Sequence, residues 1–106
     1  MKEPTIPRQE ILQAVCGQFS ITEEELVSPC RKRRLVLARM AYSVLRRRDK
    51  VTLQRIGAEL GREHATIVRL LKEHNNDYRY FPPYTADYDG TLERLAEKNY
   101  IICEKK

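Results

Sequence analysis

Tryptophan is absent from this 106-residue chain, glycine occurs four times and cysteine three times. Cys16, Cys30 and Cys103 form no Cys-x-x-Cys pair. So odd and scattered a set argues against a disulfide framework and against a zinc site, and the thiols read as small hydrophobes in or near a core. No stretch approaches the roughly 18 consecutive apolar residues that cross a bilayer. Met1-Lys2-Glu3-Pro4 is not backed by an apolar signal region, so the cytoplasm is the expected location. The scarce glycines build no nucleotide loop: Gly57 to Gly61 is too short, and no Gly-Lys-Ser/Thr follows. His64 and His74 lie ten residues apart, off the i, i+4 spacing that brings two metal ligands together on a helix. Neither a Ser-His-Asp nor a Cys-His arrangement is suggested. The expectation is a non-enzyme with no cofactor, no metal and no bound nucleotide.

Acidic residues are missing altogether from residues 31–48, which carry eight basic side chains. Residues 1–30 are net −3, residues 49–76 net +1 and residues 77–106 net −1, so the overall +5 is concentrated in one block. Such segregation points to a polyanionic partner.

Strand-like alternation is also missing; helical spacing dominates. Ile11, Leu12, Val15, Cys16 and Phe19 share one stripe over residues 8–19, with Pro7 suited to the helix start. Ser20 and Thr22 both offer N-caps, and Thr22 with Glu25 makes a capping box for a short helix that Ser28-Pro29 ends. A third helix, Arg31 to Arg48, is apolar nearly all round between Leu35 and Leu45, where only Arg39 and Ser43 are polar, so it is expected at the centre of the core. Thr52 caps a fourth helix burying Leu53, Ile56 and Leu60, and a fifth, about Arg62 to Asn75, buries Ile67, Leu70 and Leu71. Pro82-Pro83 forbids a continuous helix through the Tyr78–Tyr88 segment, after which a last helix, about Ala86 to Cys103, places Leu92, Leu95, Ala96, Ile102 and Cys103 on one side. The fold class is all-α: about six helices in a single domain over 1–106.

The fourth and fifth helices make a helix-turn-helix. Gly57 allows close crossing, Gly61 permits the reversal, and Ile67 and Leu70 face inward. The other face of the second helix is then left to solvent: Glu63, His64, Ala65, Thr66, Val68, Arg69 and Lys72. The N-terminal residues of such a helix reach base edges in the major groove. His64 and Thr66 can hydrogen-bond to bases, Ala65 can touch a thymine methyl, and Glu63 can accept from a cytosine amino group. The expected base contacts are Glu63, His64, Ala65, Thr66 and Arg69. The expected phosphate or minor-groove contacts are Arg31, Lys32, Arg33, Arg34, Lys50, Thr52, Arg62 and Lys72. Double-stranded DNA is the expected partner, and the nucleoid the expected place.

Leu53-Gln54-Arg55-Ile56-Gly57 followed by Gly61-Arg62-Glu63-His64-Ala65-Thr66-Ile67 resembles the C-terminal duplex-binding domain of the bacterial chromosomal replication initiator, DnaA. Leu26-Val27-Ser28 with the arginine run, and Arg39 to Leu45, are similar to the same family's upstream pattern and central helix. The likeness spans about residues 8–76, leaving 77–106 as an aromatic segment plus a C-terminal helix. It implies major-groove reading by the second helix, with Glu63 to Thr66 at the base-contacting positions and Arg62 beside them. It implies a role in replication or transcription control without the initiator's ATPase. This chain departs from the family pattern in lacking one glycine of a pair, in Glu63 for aspartate and Ala65 for threonine, and in the minor-groove arginine, whose place falls on Val36 or within Arg31–Arg34. The alternative is a helical interaction module, pairing as a homodimer or with another protein through Tyr78, Tyr80, Phe81 and Tyr84.

Overall fold

A computed structural model describes residues 6–98. Among them are six helices: α1 (Arg8–Phe19), α2 (Glu23–Val27), α3 (Arg33–Arg48), α4 (Leu53–Leu60), α5 (His64–Tyr80) and α6 (Pro82–Glu97). The all-α expectation holds, and two element starts follow directly from side-chain caps. Thr22 and Glu25 form the reciprocal capping box of α2, and the Thr52 hydroxyl accepts from the Arg55 amide to cap α4. Ser20 caps no N-terminus; it closes α1 in a left-handed conformation, φ 58°.

α3 is the central element. Leu37, Ala38, Met40, Ala41, Tyr42 and Leu45 are all buried, and α3 packs against α1, α2, α4 and α5. α1 contributes Ile11, Leu12, Val15 and Phe19, and α6 contributes Tyr84, Tyr88 and Leu95 to the same core. Cys16 is half-buried against that core; burial, with the charges of Glu23 and Glu25, pushes its thiol up to about 11. Cys30 is also half-buried, while Ile102 and Cys103 lie outside the described residues.

The second half departs from expectation in its boundaries. α5 continues to Tyr80, past Asn75, and α6 opens on the prolines themselves. Proline lacks only an amide that the first turn of a helix would leave unpaired, so Pro82 and Pro83 start α6, and α5 stops at Tyr80 with Phe81 as the cap shared between the two helices. The aromatic stretch is thereby folded into two packed helices. Tyr84 is fully buried and takes no part in any docking surface, which corrects its place in the alternative reading; Tyr80 is 69% exposed, with the Arg79 guanidinium over its ring. His74 stacks on Tyr78, meets Tyr84 and Tyr88 edge-on, and its Nδ1 lies 2.6 Å from the Tyr84 hydroxyl. No described helix is long and apolar enough to cross a membrane.

Candidate nucleic-acid interface

Between α4 and α5, Gly61 adopts φ 67°, a conformation costly for any residue with a side chain. The Arg62 amide donates to the Gly57 carbonyl at 2.8 Å, folding the turn back over α4. A Cβ at Gly57 would sit 2.5 Å from the Arg62 carbonyl oxygen, so the close approach needs glycine there, although the neighbour is the turn rather than the crossing helix. Ile67 and Leu70 are buried and fix α5 across α4 and α3. These constraints turn the first turn of α5 outward: Glu63, His64 and Ala65 are exposed and Thr66 is half-exposed.

Glu63 is the N-cap residue of α5, but its carboxylate makes no capping hydrogen bond. It remains available as an acceptor at the positive end of the helix dipole. Thr66, Arg69 and Arg31 line one hollow together with Pro29, Val36, Arg39, Arg62 and Leu70. Four arginines and no carboxylate surround this concavity, so its potential is positive. Arg69 is exposed and lies 3.7 Å from Glu73, one turn on, in a solvated pair that competes little with another partner.

The expected backbone-contacting residues divide into two groups. Arg31, Lys32, Lys50 and Lys72 are exposed, and Thr52 presents the N-terminus of α4. Arg33, Arg34 and Arg62 are engaged within the chain. Arg33 pairs with Asp77 at 3.0 Å and lies over the Phe81 ring. Arg34 donates to the Phe19 carbonyl and pairs with Asp87 at 3.4 Å. Arg62 donates to the carbonyls of Leu60 at 3.0 Å and Ser28 at 2.6 Å. Arg33 and Arg34 thus face the α5–α6 side, away from the hollow that Arg31 enters.

Two buried arginines of α3 lay beyond sequence reasoning. Arg39 is 3% exposed and donates to the carbonyls of Leu26 at 2.6 Å, Cys30 at 2.8 Å, Ser28 at 2.7 Å and Glu25 at 3.2 Å. Burial, then the charge of Arg62, lower its pKa, but from a value so high that the guanidinium stays charged. Arg46 forms a two-point pair with Glu59 at 2.6 and 2.9 Å, and the Tyr42 hydroxyl donates to the same carboxylate at 2.7 Å. The one hint in the sequence was Arg39 standing alone in an apolar stretch; a solvated charge has no reason to be there.

The chain matches the model of the bacterial dnaA protein helix-turn-helix over residues 8–73. It is 32% identical over 102 residues to the chromosomal replication initiator protein DnaA of Oleidesulfovibrio alaskensis, covering 95% of this chain and 22% of that protein. It is 35% identical over 89 residues to the protein of the same name from Thermomicrobium roseum, covering 82% of this chain and 19% of that one. The chain therefore spans about a fifth of the length of these relatives. The geometry of α4 and α5 and the match over α1 to α5 agree, and the chain belongs to the family of bacterial DnaA helix-turn-helix domains.

Proposed function

We propose that this chain binds double-stranded DNA sequence-specifically, with the first turn of α5 in the major groove. The observation that carries this reading is the outward turn Glu63–Thr66, held by buried Ile67 and Leu70 beside an arginine-lined hollow. Glu63, His64, Ala65, Thr66 and Arg69 contact bases. Arg31 and Lys32 reach a flanking phosphate or the adjacent minor groove, and Lys50, Thr52 and Lys72 hold the backbone on either side. Arg33 and Arg34 add charge near the duplex but would have to leave Asp77 and Asp87 to touch it. Residues 8–76 act as the reading unit, and the segment from Asp77 braces it through the packing of α6 on α1 and α5. The role is replication or transcription control in the bacterial cytoplasm, exercised by binding alone, without ATP hydrolysis.

The test is duplex binding as a function of salt, on a site recovered from a random pool. Wild type binds with a steep negative slope of log affinity against log salt, and Arg31→Ala or Lys32→Ala makes that slope shallower by about 0.9 each on every sequence. His64→Ala and Thr66→Ala weaken binding at the selected site only. A chain that binds duplex no better than an uncharged control, and whose Tyr80→Ala variant loses a protein partner, belongs to the docking alternative.

A further inference from the structure

The connection between α2 and α3, Ser28 to Lys32, carries Arg31 yet belongs to no helix. Its carbonyls are held from outside. The Ser28 oxygen accepts from two guanidinium groups at once, Arg39 Nη2 at 2.7 Å and Arg62 Nη2 at 2.6 Å. Arg39 also holds the Cys30 carbonyl, immediately before Arg31, at 2.8 Å. Arg62 reaches back with its other nitrogen to Leu60, the last residue of α4. A continuous chain of hydrogen bonds therefore joins the helix-turn-helix turn, through Arg62 and Ser28, to the buried side chain of Arg39 in the central helix. Arg39 has no carboxylate partner among the described residues, so its charge is satisfied by carbonyl oxygens alone.

We propose that Arg62 and Arg39 are positioning residues that set Arg31 beside the first turn of α5 before DNA arrives, and that Arg62 itself contacts no phosphate. A guanidinium suits this work because its planar fork spans two carbonyls at fixed separation, which a lysine ammonium cannot do. Holding the connection in place removes an ordering cost that would otherwise fall on binding. The inference rests on the duplex-binding reading above and assigns Arg62 a different part within it.

The experiment compares Arg62→Lys, Arg62→Gln and Arg31→Ala, singly and with Arg31→Ala paired in turn with Arg62→Lys and with Arg62→Gln, in the full chain, each confirmed folded by circular dichroism. If Arg62 acts through Arg31, Arg62→Lys and Arg62→Gln each weaken duplex binding about ten-fold, and neither adds a further loss beyond about two-fold once Arg31 is alanine, the mark of coupled residues. Arg62→Lys also speeds hydrogen exchange without DNA at the Cys30 amide, which donates to the Ser28 hydroxyl within the connection, while protection within α4 and α5 is kept. If Arg62 contacts phosphate, lysine restores binding where glutamine does not, and the Arg31 and Arg62 losses multiply; that result overturns the inference. Unchanged exchange at the Cys30 amide overturns it as well. A wild-type chain that binds no duplex overturns the functional reading itself and the inference with it. Duplex binding by wild type with full affinity in Arg62→Lys overturns the inference alone.

Discussion

Replacing Gly57 and Gly17 by alanine applies the same chemical change to two helices and should give opposite signs. In an open helix interior, glycine to alanine gains about 1 kcal/mol from reduced backbone freedom. At Gly57 the new Cβ would lie 2.5 Å from the Arg62 carbonyl oxygen and 3.5 Å from the carbonyl carbon of Glu63. Both are backbone atoms of a turn pinned by the Arg62 amide, so the turn itself must move. Overpacking of this kind costs about 1–3 kcal/mol and more when backbone shifts. The net expectation for Gly57→Ala is a loss of about 1–2 kcal/mol. At Gly17 the nearest atom is Arg94 Nη1 at 2.9 Å, the far end of an exposed side chain that can swing aside. Gly17→Ala should therefore stabilise by about 0.5–1 kcal/mol. Denaturant unfolding followed by helical circular dichroism reads both, and near 100 residues each kcal/mol moves the melting temperature by about 4–8 °C. Gly57→Ala should also lose duplex affinity, because Arg62 and Glu63 lead directly into the reading turn, whereas Gly17→Ala should not. Equal stabilisation by both substitutions, with duplex affinity intact, would refute the close-approach argument.

Glu59→Ala should destabilise by about 3–5 kcal/mol in denaturant unfolding, because it strands the buried Arg46 guanidinium without its carboxylate. Burial alone would raise the Glu59 pKa, but the hydrogen bonds from Arg46 and Tyr42 outweigh it and hold the carboxyl below its ordinary 4.5. Its contribution is thus complete above pH 4.5 and is lost as pH falls through the lower folded value, so the Glu59→Ala deficit should shrink in acid. His74 has the opposite charge change and the same direction with pH. Burial among Tyr78, Tyr84 and Tyr88 lowers its pKa below 6.5, against the raising effect of Asp77. The unfolded chain takes the proton first, so stability is full above pH 6.5 and falls below it; His74→Gln should flatten that fall in stability measured against pH.

Local grammar carried the first half of the fold. The α1 stripe, the Thr22–Glu25 box, the Thr52 cap and the Gly61 turn each depend on residues within one or two helical turns, and each is found where spacing placed it. The outward face of α5 was equally legible, since burying Ile67 and Leu70 leaves Glu63 to Ala65 no other side to face. What could not be read depends on contacts distant in sequence. Arg33 and Arg34 look like two more members of a basic run until Asp77 and Asp87, from α5 and α6, draw them to the far side. Arg39 stands out as a lone charge in an apolar stretch, but its partners, the carbonyls of residues 25–30, carry no side-chain signature that spacing could reveal. Prolines 82 and 83 signal a break but not its direction; whether they end one helix or begin another rests on how Tyr84 and Tyr88 pack.

The most direct measurement removes major-groove atoms from the DNA one at a time. On a duplex selected by the chain, each purine is replaced by its 7-deaza analogue, which deletes the N7 acceptor and leaves the minor groove unchanged. Reading by the first turn of α5 predicts losses of roughly ten-fold or more at a few positions, the size of one lost base contact. Those losses should disappear in His64→Ala, Thr66→Ala or Arg69→Ala, whichever side chain meets that base. Uniform tolerance of every 7-deaza substitution, or position-specific losses that persist unaltered in all three variants, would contradict the account.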